Sequence, residues 1–159
     1  MLVSDIMTLE PCCCTPECSA QTAAERMRQL SMGVLPVVES METRRILGVV
    51  TDRDLCLAVV ASGRDPAQTT VLECMTRETV CCASGEPVAR AMQTMRDHHI
   101  RRLPVVDSAG RVVGIVSLTD IIRYAALGES EVVAAVAHIC EPRGALGRRK
   151  REASAAAAP

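Results

Sequence analysis

The sequence predicts a mixed α/β fold, of the α+β type, built from two copies of one β-α-β-β-α unit. Two observations predict it: the 159-residue chain repeats itself at a nearly constant offset, and each copy combines helical apolar spacing with short β-branched runs. A shift of 68 positions aligns residues 35–40 with 103–108, and a shift of 66 aligns 48–54 with 114–120. The chain is therefore a tandem duplication.

The first long helix of each copy follows from apolar residues at i, i+3, i+4 and i+7. The residues with this spacing are Ala20, Ala23, Ala24 and Met27 in the first copy and Val88, Ala91, Met92 and Met95 in the second. Ser19 is a candidate N-cap for the first helix, and Ser84 with Pro87 indicates the start of the second. Further helices are expected over 51–61 and 117–127.

Two β-branched runs follow each of these helices, at 35–38 and 46–50 and again at 103–106 and 112–116. Because they do not alternate with polar residues, they predict strands buried on both faces. The predicted domains are residues 1–63 and 68–127. A C-terminal extension, 128–159, is expected to hold a short helix over 131–140 and then a disordered, basic and alanine-rich tail.

Composition limits the classes of function. The formal net charge is -1, so nothing in the overall charge favours nucleic acid or an anionic membrane, and the basic run at 148–151 is interpreted as a solvated tail. No apolar run approaches the roughly 18 residues of a membrane span, and no signal-peptide pattern is visible. With nine cysteines and no Phe or Trp, a cytoplasmic protein with reduced thiols that partly serve as core packing is expected.

The motif Gly-h-h-[Thr/Ser]-x-x-Asp, where h is apolar, occurs at residues 48–54 and 114–120. A glycine within a strand permits close approach of another backbone or of a ligand. The carboxylate at the strand-to-helix turn suits the vicinal diol of a ribose. The same spacing is also a helix capping box, which requires no ligand. The motif by itself leaves both interpretations open.

Taken together, these features resemble a tandem cystathionine-β-synthase (CBS) domain pair, or Bateman module. The likeness covers about residues 1–127 and rests on Met-Thr at 7–8 and 75–76, Leu-Pro-Val-Val at 35–38 and 103–106, and both copies of the glycine motif. It implies two units packed sheet to sheet with pseudo-twofold symmetry. It also implies that AMP, ADP, ATP or S-adenosylmethionine binds in the clefts between the units.

The resemblance further implies a regulatory protein rather than an enzyme. No cofactor is required, and the adenosyl compound acts as a regulatory ligand. The expected partners are a second copy of the chain, in a homodimer, and a protein target that the sequence does not identify. Neither a membrane nor nucleic acid is expected as a partner.

Site residues carry over from the family by position, with each cleft drawing on both repeats. The first cleft would comprise Thr51, Arg53, Asp54, Val80, Ile100, Arg101, Arg102 and Pro104, and the second Ser117, Thr119, Asp120, Cys12, Met32, Gly33 and Pro36. Arg53 is a candidate phosphate contact for either cleft. Because the basic segment 98–102 is assigned to the first cleft, the Asp54 cleft is predicted to be the main nucleotide site. The Asp120 cleft would then be weak, empty, or suited to a less charged adenosyl compound.

The alternative is a thiol-responsive, metal-responsive or purely structural dimerisation module on the same fold. Three adjacent cysteines, 12–14, cannot easily share one ion, because successive side chains of a strand point to opposite faces. Cys14 and Cys18 are the local pair worth testing, and no metal site is predicted. Since residues 13–14 align with 81–82, also Cys-Cys, the run is interpreted mainly as a strand core, with Cys12 and Cys18 as the candidates for reactivity.

Overall fold

The computed structural model describes residues 1–124 and 129–139. After a single 3₁₀ turn, the first unit contains β1 (Thr8–Leu9), α1 (Ala20–Leu30), β2 (Val34–Val38), β3 (Ile46–Thr51) and α2 (Asp52–Leu55), which continues as a π-helical turn over Cys56–Val60. The second contains α3 (Val71–Cys74), β4 (Cys82–Ala83), α4 (Val88–His98), β5 (Arg102–Val106), β6 (Val112–Ser117), α5 (Leu118–Tyr124) and α6 (Glu129–Ile139). The predicted fold class is confirmed, whereas the predicted tail lies outside the described residues.

The two long repeat helices, α1 and α4, end in the same way but begin differently. The Ser19 hydroxyl accepts a hydrogen bond from the Thr22 amide at 3.1 Å, which confirms Ser19 as the N-cap of α1. Helix α4 starts after Pro87 without a side-chain cap, so Ser84 does not serve as one. Ser31 and His99 terminate the two helices in the left-handed conformation, with φ of 52° and 50°. The chain therefore turns into β2 and β5 through matched C-caps.

The hairpins β2–β3 and β5–β6 share one antiparallel register and an equivalent irregularity near their loops. Strand β2 is buried at every position, as predicted. Strand β3 is not, because Leu47 is exposed and only Gly48 and Val50 are buried. The predicted first strand of each unit is short: it is a single bridge at Cys14 in the first unit and the two-residue β4 in the second.

Each unit contributes its N-terminal segment to the hairpin of the other unit. Thr8 in β1 pairs with Ile115 in β6, and Thr76 forms the equivalent bridge with Val49 in β3. The motif glycines make room for this exchange. A Cβ on Gly48 would lie 2.3 Å from the Thr76 carbonyl oxygen, and one on Gly114 would lie 2.6 Å from the Met7 sulfur. The glycine of each motif therefore admits a crossing segment of the other unit.

The two hairpin loops meet at an approximate two-fold axis. Arg45 bridges Arg111, the residue 66 positions later. The amide of Ile46 donates to the Gly110 carbonyl at 3.0 Å, and the amide of Val112 donates to the Arg44 carbonyl at 2.8 Å, in an equivalent exchange. These reciprocal contacts give the pair the predicted pseudo-twofold symmetry.

Arg44 adds a connection that its symmetry mate cannot make. Both Arg44 and Gly110 have positive φ, 50° and 74°, a conformation that glycine adopts without strain and arginine does not. The Arg44 guanidinium donates to the Val112 carbonyl at 3.0 Å and to the Pro11 carbonyl at 2.9 Å. It thus ties the first unit's N-terminal segment to the start of β6.

Helix α6 covers the helical face of the second unit. Ala135 and Ile139 are buried in the same cluster as the α4 residues Met92 and Met95, and the His99 ring nitrogen Nδ1 lies 3.1 Å from the His138 carbonyl. In the first unit the corresponding face, between α1 and the α2 π-turn, holds an open groove of about 430 Å³. Within residues 1–124 and 129–139, no helix is long and apolar enough to cross a membrane.

We predict that Ile139→Ala destabilises the protein by about 2 kcal/mol, because truncating a buried isoleucine leaves a cavity. Val133→Ala is the matched control, since Val133 lies on the same helix and is 62% exposed. Chemical denaturation measures both. If the two variants lose equally small amounts of unfolding free energy, α6 does not pack on the second unit in solution.

Candidate functional site

Both copies of the glycine motif end in a complete capping box. The Asp54 Oδ2 atom accepts hydrogen bonds from the Thr51 amide at 2.9 Å and hydroxyl at 2.7 Å, while the Thr51 hydroxyl accepts from the Asp54 amide at 3.1 Å. Ser117 and Asp120 make the same three bonds at 2.8, 2.6 and 3.1 Å. The structural role considered from the sequence is therefore real in both units.

The box does not use up either carboxylate. Both hydrogen bonds at each aspartate fall on Oδ2, and no hydrogen bond to Oδ1 of Asp54 or Asp120 is formed by the described residues. Both aspartates are only partly buried. A carboxylate held by one oxygen and open at the other can accept hydrogen bonds from the two hydroxyls of a ribose. Capping and ligand binding are thus compatible at the same residue.

The two arginines of the basic segment lie beside the second box. Arg102 is paired with Ser117 in the β5–β6 register, and the Arg101 carbonyl accepts a hydrogen bond from the Leu118 amide at 2.8 Å. Directly paired residues of an antiparallel ladder point their side chains to the same face. Both arginine side chains are exposed, and neither forms a hydrogen bond or ion pair with any residue described in the structure.

This register identifies neighbours of the two arginines that the sequence analysis did not name. The sequence analysis placed Arg101 and Arg102 with Asp54 and ranked that cleft first on this ground. In the structure the residue paired with Thr51 is Val34, and the Asp52 amide donates to the Gly33 carbonyl at 3.1 Å. The backbones of Arg101 and Arg102 thus lie beside the second box in their own unit, and the contact of their side chains with a ligand in the Asp54 cleft stays a prediction.

The first box has an acidic neighbour that the sequence analysis did not identify. A Cβ on Gly33 would lie 2.8 Å from the Asp52 Oδ2 atom, so the Asp52 carboxylate occupies the space where a side chain at position 33 would start. The equivalent residues in the second unit are Arg101 and Leu118. Aligning Thr-Asp-Arg-Asp at 51–54 with Ser-Leu-Thr-Asp at 117–120 would have revealed this difference.

The remaining predicted contacts fall into two groups. Pro36 and Pro104 are buried at equivalent places in β2 and β5. Val80 and Ile100 pack at the edge of the second unit's core, and Cys12 packs at the edge of the first unit's core. Met32 is partly buried, and Arg53 and Thr119 are exposed. Contact of these residues with a ligand across the two repeats stays a prediction.

The cysteine run is largely core packing. Cys13 and Cys14 are fully buried, as is nearly all of Cys82. Burial raises the pKa of Cys14 to about 12 and that of Cys82 to about 12. Burial also raises the pKa of Cys13, and the Arg44 guanidinium partly opposes that rise. Thiols with pKa values this high remain protonated at neutral pH and are poor nucleophiles.

The structure places Cys12 and Cys18 at intermediate exposure beside the first core. In residues 1–124 and 129–139, no group of three or more His, Cys, Asp or Glu side chains is arranged to hold a metal ion. The Cys14 and Cys18 pair therefore has no third ligand in this part of the chain.

We predict that, of the eight cysteines within the described residues, a maleimide at pH 8 labels Cys56 first in the native protein, because Cys56 is exposed. Cys13, Cys14 and Cys82 should react only after denaturation, since they are buried and their pKa values are raised. Mass spectrometry of the labelled peptides after timed reaction gives the order for these eight, and Cys56→Ser should remove the fast labelling of its own peptide without changing that of the buried cysteines. Rapid native labelling of Cys14 would contradict the packing role.

Comparison with known proteins places this geometry in a family. The CBS domain family model matches residues 3–61 and 71–127. The chain is 41% identical to the CBS domain-containing protein YhcV of Bacillus subtilis over 119 residues, which is 75% of this chain and 81% of YhcV.

Two solved structures are also similar. The CBS domain pair of protein MJ0100, in complex with 5′-methylthioadenosine and S-adenosylmethionine, matches with a TM-score of 0.69 and 32% identity over 77% of this chain and 94% of that one. Hypoxic Response Protein I, with two coordinated zinc ions, matches with a TM-score of 0.71 and 30% identity over 78% and 98%. The chain thus belongs to the CBS domain family and carries two CBS domains in tandem.

Proposed function

We propose that this protein is a regulatory sensor of adenosyl compounds that binds its ligand in the clefts beside the two capping boxes. The observation that supports this most directly is the duplicated aspartate that caps a helix with Oδ2 and leaves Oδ1 open, at Asp54 and Asp120. The bound 5′-methylthioadenosine and S-adenosylmethionine of the similar MJ0100 domain pair support an adenosyl ligand.

Each cleft would divide recognition between polar and apolar groups. Thr51 with Asp54, and Ser117 with Asp120, would hold the ribose hydroxyls. The apolar edges, Cys12 and Met32 in one unit and Val80 and Ile100 in the other, would contact the adenine ring across the repeats. The arginines would bind phosphate, because guanidinium groups form charge-assisted hydrogen bonds with phosphate oxygens.

The fold offers a route from ligand binding to a signal. The N-terminal segments are exchanged between the units, and Arg44 fastens one of them to β6. A ligand held by both repeats would therefore favour one relative position of the units. Regulation requires such a preference, because a ligand that binds two states equally shifts neither. The protein acts in this proposal by binding and not by catalysis.

A homodimer is part of the same proposal. The open groove of the first unit is lined mainly by apolar side chains of α1 and the π-turn, including Val60, which is 75% exposed. Leu57, also in the π-turn, is 53% exposed. Exposed apolar surface of this kind indicates an interface. The protein target, and the cytoplasmic location expected from the sequence, remain predictions.

The test is a thermal-shift panel of AMP, ADP, ATP and S-adenosylmethionine. A ligand at 100 times its dissociation constant should stabilise the native protein by about 2.7 kcal/mol. Variants Asp54→Ala and Asp120→Ala should each reduce the shift of the ligand bound at that site. If no compound shifts the midpoint of the wild type, the sensor proposal fails and a structural dimerisation module becomes the better account.

A further inference from the structure

We infer that Arg26 and Arg44 are positioning residues for the Asp120 cleft: they hold the peptide segment at Cys12 that would contact the adenosyl ligand there. This inference rests on the proposed function and adds the residues that prepare one of its two clefts. It follows from side-chain hydrogen bonds that the first unit makes and the second unit does not.

Arg44 fastens the residue before Cys12. Its guanidinium donates to the Pro11 carbonyl at 2.9 Å and, through Nε, to the Val112 carbonyl at 3.0 Å. Because the peptide bond is planar and trans, holding the Pro11 carbonyl also fixes the direction of the Cys12 amide. Val112 is the first residue of β6, the strand that ends at Ser117 in the second capping box. Arg44 thus sets the position of the segment relative to the strand that leads into the box.

Arg26, on α1, fastens the residue after Cys12. Its Nη1 atom donates to the Cys13 carbonyl at 2.8 Å, and hydrogen bonds from a guanidinium are roughly twice as strong as neutral ones. Between the two held carbonyls, the Cys12 amide and carbonyl form no hydrogen bond with any described residue. One backbone donor and one backbone acceptor therefore remain for a ligand, in a segment that is held from both sides.

The second unit has neither of these two arginines. Arg26 corresponds to Thr94, whose hydroxyl donates at 3.0 Å to a carbonyl of its own helix, and Arg44 corresponds to Gly110, which has no side chain. Within residues 1–124 and 129–139, no arginine donates to a carbonyl of the equivalent segment, 79–81. The arrangement that holds the segment is therefore specific to the first unit.

Burial of the two segments differs in the same direction. Pro11 and Cys13 are buried, whereas Thr79 and Cys81, 68 positions later, are only partly buried. A segment that is held in place before the ligand arrives loses less conformational freedom on binding. One cleft thus has a prepared wall, and the other has to order its wall when it binds.

The backbone at Arg44 makes a clean substitution available. Its φ is 50°, in the left-handed region, and the equivalent Gly110 has a φ of 74°. Glycine adopts this region without strain. Arg44→Gly therefore preserves the path of the loop and removes only the side chain that holds the segment.

Calorimetric titration with AMP and 5′-methylthioadenosine tests the inference in proteins that keep one capping aspartate. In the Asp54→Ala protein, which retains the Asp120 cleft, Arg26→Thr/Arg44→Gly should weaken the bound compound by about tenfold, the cost of ordering about one backbone residue on binding. In the Asp120→Ala protein, the same double change should leave the affinity within about twofold. A general loss of structure would weaken both clefts, so a difference between them identifies positioning. Arg44→Gly alone should give a smaller loss, confined to the same cleft.

Two controls separate charge and stability from positioning. Arg28→Thr removes an exposed positive charge from the same helix as Arg26, and Ile139→Ala lowers stability away from the segment; neither should change the affinity of either cleft. The inference is overturned if both aspartate backgrounds lose affinity equally, if the Asp54→Ala protein keeps its affinity after the arginine changes, or if it binds neither compound. Absence of binding to the wild type would instead overturn the proposed function, so the two failures are distinguishable.

Discussion

Replacing Gly48 by alanine is expected to destabilise the protein by about 3 kcal/mol, the upper part of the range for overpacked sites. The new Cβ would meet the Thr76 carbonyl oxygen at 2.3 Å and the Met75 methyl at 2.5 Å. The Thr76 carbonyl is a backbone atom held in a strand bridge with Val49. It can give way only if the whole crossing segment shifts. For a chain of this size, the thermal midpoint should fall by about 10 °C.

Two other glycines calibrate this result. Gly85 has no atom within 4 Å of its added Cβ, so Gly85→Ala should leave the midpoint nearly unchanged. The thermal midpoint of Gly114→Ala should lie between those of the Gly48 and Gly85 variants. The nearest contact of its new Cβ is the flexible Met7 side chain at 2.6 Å, and the Thr8 carbonyl is 3.1 Å away. Equal stability of the Gly48 and Gly85 variants would show that the two N-terminal segments are not exchanged as described.

The double variant Asp54→Ala/Asp120→Ala is expected to lose binding of every adenosyl ligand by about a hundredfold or more. Each substitution removes a charged acceptor, worth about 1.5–3 kcal/mol in a hydrogen bond. Each also removes half of a capping box, so the variant should be less stable by about 1 kcal/mol per site. Titration calorimetry measures the affinity and thermal denaturation the stability.

The two effects can be separated by a matched variant. Thr70 and Glu73 form a capping box of the same type on α3, and neither is a predicted ligand-contact residue. Glu73→Ala should therefore lose a similar cap without any change in ligand affinity. If Glu73→Ala weakens ligand binding as much as the aspartate variants do, the lower affinity of those variants comes from lost stability and not from a lost ligand contact.

The sequence predicted the features that duplication makes visible. The two hairpins, the long helices with their apolar faces and the Ser19 cap are confirmed, because local spacing and the 68- and 66-residue offsets determine them. The pseudo-twofold pairing, which the CBS resemblance implied, is confirmed as well. Both interpretations of Thr51–Asp54 also proved compatible, since one carboxylate oxygen serves the cap and the other stays open.

Features that depend on contacts between the copies were not predictable in the same way. The exchange of the segments carrying Met7 and Met75 is a long-range pairing, and a repeat alignment cannot tell within-unit pairing from pairing between units. The sequence contained one signal for this exchange: each motif glycine has a methionine counterpart in the N-terminal segment of the other unit. Gly48 lies against Met75, and Gly114 lies against Met7. The π-turn over Cys56–Val60 left no such signal in the sequence that we can identify.

The strand neighbours of Arg101 and Arg102 could not be predicted from their position in the family motif. These residues lie next to Pro104, which was assigned to the first cleft, yet the hairpin register brings them to Ser117. A side chain at the start of a strand is positioned by the residue paired with it, and pairing is a structural property that the position in the motif does not contain.

The most direct test of the sensor proposal is the binding stoichiometry of AMP together with 5′-methylthioadenosine, measured by equilibrium dialysis on the wild type and the two single aspartate variants. We predict that each single aspartate variant loses the ligand of its own cleft and retains the ligand of the other, and that the double variant binds neither while its circular dichroism remains native. Full retention of both ligands by the folded double variant would contradict the proposal that the two capping aspartates hold the adenosyl ligand.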